Sequence, residues 1–166
     1  MAGFSYKKSL LTKDAPVEIP FIINNSEAVQ IGDAIQVDTN GHAILATAGE
    51  EVAGIAVAVT DYNDTAIDPD TSTLDTYTVA SDNETVAKKK VKLVMDKYSL
   101  FENDADEDLD LTDLMKFFNL IDENTIDASS VNANNGQFQL ISLDPNDASK
   151  GLFRIAESQL DPYTQD

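Results

Sequence analysis

The chain has no cysteine and a single histidine in 166 residues, and between residues 21 and 87 it has no lysine or arginine. Without cysteine there are no disulfides, no zinc–thiolate centres and no thiol nucleophile. Long apolar runs are also missing. After Lys7 and Lys8 only Leu10-Leu11 follows, too short for the apolar region of a signal peptide or for a bilayer span. The expectation is a soluble chain made in the cytoplasm, with no membrane partner. His42 directly follows Asn40-Gly41 and reads as an exposed turn residue. No Gly-x-Ser-x-Gly elbow is present, and among 30 acids no carboxylate pair stands out by spacing. The sequence therefore offers no catalytic residue, and the reading is a non-enzymatic protein without a cofactor.

What is abundant is negative charge, a net −19 at neutral pH. Residues 21–87 carry twelve acids, residues 98–166 fifteen acids against three bases, and only residues 88–97 are strongly basic, with Lys88, Lys89, Lys90, Lys92 and Lys97 against Asp96. Such a field repels polyanions, so nucleic acid is not an expected partner. The length fits one domain that buries about 70% of its unfolded surface.

The periodicity is mainly β. Residues 1–19 show neither a helical stripe nor clean alternation, and Pro16 and Pro20 hold the exit extended, which predicts an N-terminal arm ahead of a single domain over 20–166. Phe4, Tyr6, Leu10 and Leu11 favour an arm that docks on something, and its removal is expected to leave the fold intact. Strands are predicted at Phe21–Ile23, Ala34–Val37, His42–Ala46, Val52–Val59, Thr76–Ala80, Val86–Met95, Gln137–Leu143 and Leu152–Ala156. Asn40-Gly41 suits a hairpin turn, and Gly54 marks a bend or the close approach of another backbone. Residues 61–75 and 123–136 read as loops. One short helix is predicted over about 111–121, because Leu111, Leu114, Met115 and Phe118 recur at helical spacing and Asp110 with Asp113 makes a capping-box variant.

Asp104, Asp106, Asp108 and Asp110 alternate as calcium ligands do. An EF-hand loop begun at Asp104 would put Leu109 at the turn glycine and Met115 at the bidentate glutamate, and one begun at Asp61 would put Ala66 at the glycine, so no metal site is assigned. The segment VQIGDAIQV is similar to the turn before a strand in biotinyl and lipoyl carrier domains. The modified lysine of those domains has no counterpart at the tip Asp38–Gly41.

Three short segments carry a closer resemblance. They are Ala28-Val29-Gln30-Ile31-Gly32-Asp33, then Asp38-Thr39-Asn40-Gly41 followed by Ala43 to Ala46, then Glu51-Val52-Ala53-Gly54-Ile55-Ala56-Val57. Together they resemble the β-rich decoration, or cement, proteins of tailed-phage heads, the lambda-type head-stabilising family and related short head proteins. The resemblance covers about a quarter of the chain. It implies a small barrel or tulip-like core with Gly32, Asp33, Asn40, Gly41 and Gly54 at structural turns. It further implies a protein on the outer surface of the virion, often a homotrimer, whose partner is the major capsid (coat) protein. The capsid contacts on that view are Phe4, Tyr6, Lys7, Lys8, Leu10, Leu11 and Lys13 of the arm, with Lys88, Lys90 and Lys92. Two other classes stay open. One is a surface adhesin that recognises carbohydrate or host protein through its Asp/Asn/Thr-rich loops and Tyr62, Tyr77 and Tyr98; the other is a carboxylate-based hydrolase.

Overall fold

The structure, a computed structural model, describes residues 3–10, 15–70 and 76–160. Its strands are β1 (Ser5–Ser9), β2 (Glu18–Ile22), β3 (Ala28–Gln30), β4 (Ala34–Val37), β5 (Ala43–Leu45), β6 (Gly54–Thr60), β7 (Thr76–Thr78), β8 (Lys90–Val94), β9 (Ser99–Asp104), β10 (Phe117–Asp122), β11 (Thr125–Asn132), β12 (Phe138–Leu143) and β13 (Lys150–Ile155). A short helix, α1 (Glu157–Leu160), closes the described chain. No helix among the described residues is long and apolar enough to cross a membrane.

The strands form a six-stranded sheet in the order β1-β9-β13-β12-β10-β11, a five-stranded sheet in the order β2-β8-β6-β4-β5, and the pair β3-β7. Both large sheets curl. Ala105, just past β9, bridges to Ile126 of β11, and Ile23, just past β2, bridges to Ala43 of β5. The fold is mainly β, as the periodicity indicates, but neither sheet closes into a barrel. Inward positions of the strands fill two cores, by clean alternation in β10 and β13 and as near-continuous buried runs in β6. Phe101, Phe118, Phe138 and Phe153 fill the six-stranded sheet, and Ala34, Ile55 and Val94 of the other sheet pack onto them. Ile23, Val29, Ile35, Val59, Val91 and Leu93 fill the second.

The N-terminal segment is not an arm. β1 pairs with β9 from Ser5↔Glu102 to Ser9↔Ser99, and Phe4 is 3% exposed. The Phe4 ring stacks on Phe138 at 4.4 Å and meets Phe101 edge-on at 6.4 Å. Its backbone N–H donates to the Gly32 carbonyl at 2.8 Å. Gly32 has φ +99°, and a Cβ there would stand 2.9 Å from the Phe4 carbonyl oxygen, so the Gly-Asp turn exists to let the N-terminus pass. The reading of residues 1–19 as an arm ahead of the domain is therefore corrected for residues 3–9, which belong to the six-stranded sheet and its core, while residues 11–14 lie outside the described residues. Three aromatic contacts and a strand ladder override the weak local pattern of residues 3–9.

The helix is likewise corrected. The capping box forms, with Asp110 accepting from the Thr112 N–H and Asp113 accepting from the Asp110 N–H at 3.0 Å, but it caps a single 3-10 turn, Leu111–Asp113. Met115 then takes φ +67° and donates its N–H to the Leu140 carbonyl at 2.8 Å. From Phe117 the chain is β10, which buries Phe118 and Leu120 by alternation. Those residues fit a period of two as well as 3.6, and pairing with β11 and β12 decides between them. Leu111 and Met115, assigned to the buried helix face, are 76% and 56% exposed.

At the Asn40-Gly41 turn only Gly41 has positive φ, at +84°. With Val37 opposite Ala43 the connection is a five-residue loop in which Asp38 Oδ1 accepts from the N–H groups of Asn40 and His42. Gly54 behaves as expected, since a Cβ there would lie 2.8 Å from the Val94 carbonyl oxygen.

One buried amide ties the two sheets together. Gln137, 1% exposed, accepts from the N–H groups of Gly49 and Leu120 and donates to the carbonyls of Thr47 and Glu50. All its hydrogen-bonding positions face fixed backbone partners. Gln137→Leu should cost about 2–3 kcal/mol in urea unfolding, because the substitution strands buried backbone groups rather than removing both partners. A loss below about 0.5 kcal/mol would show that solvent replaces these bonds.

Candidate functional site

The lysine segment is built around a buried anchor. Asn83, fully buried, donates from Nδ2 to the carbonyls of Ile23 and Lys89, and its Oδ1 accepts from the Lys89 N–H at 2.9 Å. Lys88 N–H donates to the Asn83 carbonyl at 2.7 Å, and Lys88 is held at φ +50°, a conformation that costs a non-glycine residue energy. The neighbouring loop is equally fixed. Asp61 Oδ1 accepts from the N–H groups of Asn63 and Thr65, each at 2.8 Å, and Asp64 has φ +64°.

These two supports bring Tyr62 between two ammonium groups. Lys88 Nζ and Lys90 Nζ each lie 5.6 Å from the Tyr62 ring centroid, within cation–π range. Lys90 Nζ also donates to the Tyr62 carbonyl at 3.0 Å and pairs with Asp64 at 3.0 Å. Tyr62 is 60% exposed and Val86, nearby in sequence, 70%. Lys92 pairs with Glu18 at 3.7 Å across β2 and β8. The result is an exposed tyrosine flanked by ammonium groups on a chain of opposite net charge, and tyrosine is a residue type enriched at interface hot spots.

The predicted contact residues of the N-terminus go elsewhere. Phe4 is core, and Tyr6 packs edge-on against Phe101 at 6.0 Å. Lys7 pairs with Glu102 at 3.0 Å, and Lys8 and Leu10 are exposed. Leu11 and Lys13 lie outside the described residues. β1 belongs to the six-stranded sheet and β8 to the five-stranded one, so the two predicted contact groups are not neighbours in one sheet. Phe4, Tyr6 and Lys7 instead line a groove of about 430 Å³ with Ile31, Val57 and Asn103. At its rim Lys7 pairs with Glu102 and Lys150 with Asp104 at 3.3 Å, much as Lys90 and Lys92 pair with Asp64 and Glu18.

The sheet edges are guarded. β1 carries a register shift between Tyr6 and Lys8, β2 contains Pro20, β5 is three residues long, and β11 meets β10 with two register shifts. Such features discourage strand addition, so a side-chain surface is a better attachment element than any edge.

His42 is not an exposed turn residue. Its side chain is 20% exposed, with Nδ1 3.8 Å from Asp38 Oδ2 and 3.7 Å from Glu84 Oε2. No hydroxyl nucleophile among the described residues is hydrogen-bonded to it. Among the described residues no cluster of three or more His, Asp or Glu is placed to hold a metal ion. Of the three tyrosines that the adhesin reading uses, Tyr77 is buried at 9% exposure, while Tyr62 is open.

Sequence reasoning found the lysines and, only as a sugar-stacking candidate of the adhesin reading, Tyr62; it placed the two nowhere near each other and missed Asn83. Tyr62 sits in a segment legible only as a loop, and Asn83 in one legible only as a turn. The available signal was the spacing of Asp61 to Thr65, where an aspartate followed by polar residues marks a hydrogen-bonded Asx loop.

The chain matches no family model, no curated protein and no solved structure.

Proposed function

We propose that the chain is a non-enzymatic structural protein that binds the outer surface of a viral capsid and stabilises the shell by clamping neighbouring coat subunits. The sequence resemblance to phage-head decoration proteins motivates the partner. The observation that carries the reading is the Tyr62–Lys88–Lys90 surface, a basic and aromatic face on a strongly acidic chain. On this reading that surface meets an acidic region of the coat protein, while the acidic remainder faces solvent. A homotrimer places three such surfaces on one particle site, and their combined engagement exceeds the affinity of one. The clamp then works through contact with more than one coat subunit, which raises the cost of separating them.

The test is co-sedimentation with purified heads of the phage that encodes the chain. Lys88→Glu and Tyr62→Ala should each lower occupancy at least tenfold at subsaturating protein, the scale of an interface hot spot, with the thermal midpoint unchanged. Binding should also weaken as salt rises, because the attraction is screened. Wild-type occupancy by both variants would remove this surface from the reading, and an absence of wild-type binding would remove the capsid partner itself.

A further inference from the structure

A second concavity has a different chemistry. It is a groove of about 260 Å³ where β10, β11 and the loop before β12 meet α1, and none of its lining residues is charged. In a chain with 25% charged residues and a net charge of −19, that is a local exception. The lining is amide and hydroxyl: Asn119, Ser130, Asn132, Asn135 and Gln159 among them.

The amides are fixed at one end and unspent at the other. Asn132 Oδ1 accepts from the N–H groups of Asn134 at 2.9 Å and Asn135 at 3.4 Å, which leaves its Nδ2 without a bond among the described residues. Gln159 Oε1 accepts from the Val52 N–H at 2.9 Å, which leaves its Nε2 in the same state. The side chains of Asn119 and Asn135 make no hydrogen bond among the described residues, while the Asn119 N–H is held by Ser130 Oγ at 2.7 Å. Gly136 lets the loop that carries Asn135 lie against β10, since a Cβ there would stand 2.8 Å from the Phe118 nitrogen.

We infer that this groove binds a neutral carbohydrate, one or two sugar units in extent. Asn132 and Gln159 present amide donors, and Asn119 and Asn135 present a donor and an acceptor each, which complements vicinal hydroxyls that both donate and accept. An anionic ligand would meet no counter-charge and a repulsive overall field, and an apolar ligand would strand the amides. Anchoring Asn132 and Gln159 by their oxygens lowers the ordering cost of binding. The site is separate from Tyr62 and the lysines, and it stands or falls independently of capsid attachment.

The experiment is a titration of the full ¹⁵N-labelled chain with maltotriose, chitotriose and lactose, with trigalacturonate as the charged control, read from the side-chain amide signals of Asn119, Asn132, Asn135 and Gln159. At least one neutral sugar should shift these signals saturably at millimolar concentration, and trigalacturonate should not. Asn135→Asp, on an exposed loop, should weaken that binding at least tenfold without moving the thermal midpoint. The inference is overturned if none of the three neutral sugars shifts these signals, if trigalacturonate shifts them equally, or if the Asn135→Asp chain binds as the wild type does.

Discussion

Deleting residues 1–9 should abolish cooperative folding, and Phe4→Ala alone should cost about 3–5 kcal/mol in urea unfolding, the scale of an aromatic truncated in a packed core. Folded domains hold only about 5–15 kcal/mol in total, so Phe4 alone is a large share of the margin and the deletion removes the strand as well. It takes away the Phe4 contacts with Phe101 and Phe138, the β1–β9 ladder and the bond from Phe4 to the Gly32 carbonyl. It also leaves one edge of β9 unpaired. Near-ultraviolet circular dichroism of the truncated chain checks this. A native spectrum with a cooperative melt would mean that residues 1–9 are an accessory after all.

Asp33 should make stability fall as pH rises through neutrality. Its side chain is 1% exposed, Oδ2 accepts from the Gln30 N–H at 2.7 Å, and Oδ1 has no partner. The hairpin Asp122–Thr125 lies against it, held by the Ala34 N–H donating to the Glu123 carbonyl at 2.7 Å. Burial first, and then the Glu123 and Asp122 charges, raise its pKa to about 7 from 3.8, against the lowering effect of the bond from Gln30. Glu27 is raised too, by burial and by Glu123. For a carboxyl whose folded pKa is raised, the contribution to stability is fully present below pH 3.8 and is lost as pH climbs through 7. The difference corresponds to about 4 kcal/mol at about 1.4 kcal/mol per unit. Asp33→Asn keeps the acceptor for Gln30 and removes the charge. The variant should therefore be the more stable chain at pH 8 by up to about 4 kcal/mol, with the advantage fading towards pH 4. Urea unfolding of both chains at pH 4, 6 and 8 measures it, and parallel pH profiles would show that Asp33 does not titrate in this range.

At the acid end the opposite groups act. Asp70, Asp110, Asp147 and Glu157 are held below their usual values, mainly by hydrogen bonds to their carboxylates. At Asp38 burial is the largest single influence and raises, but the bonds from the His42 and Asn40 N–H groups together outweigh it, so its carboxyl is lowered as well. Their contributions are present above the unfolded values and are lost as pH falls through the folded ones. The stability maximum therefore belongs in mildly acidic solution, between those losses and the ionisation of Asp33.

The strands with clean alternation or a continuous apolar run were legible in the sequence. β4, β5, β6, β8, β12 and β13 fall within a few residues of the predicted runs, because their inward positions are strongly apolar. β9 was hidden, since Glu102 and Asp104 read as part of an acidic lead. In the fold those acids face outward and pair with Lys7 and Lys150, while Leu100 and Phe101 fill the core. β11 was hidden by Asp127, Ser129, Ser130 and Asn132, polar residues that satisfy the backbone locally and suit a loop equally well. Of the candidate surface, Lys88, Lys90 and Lys92 were visible as a charge run. Their arrangement around Tyr62 was not, because it depends on Asn83 reaching from a turn to the Ile23 carbonyl, 60 residues away in sequence.

The measurement that bears most directly on capsid attachment is an electron-microscopic difference map between phage heads assembled with and without this chain. The expected result is added density on the outer surface, trimeric and seated on the local three-fold positions, with the Tyr62–Lys88–Lys90 face of the five-stranded sheet against the coat protein. Heads identical in the two maps, or bound chains whose contact is made by another face, would contradict it.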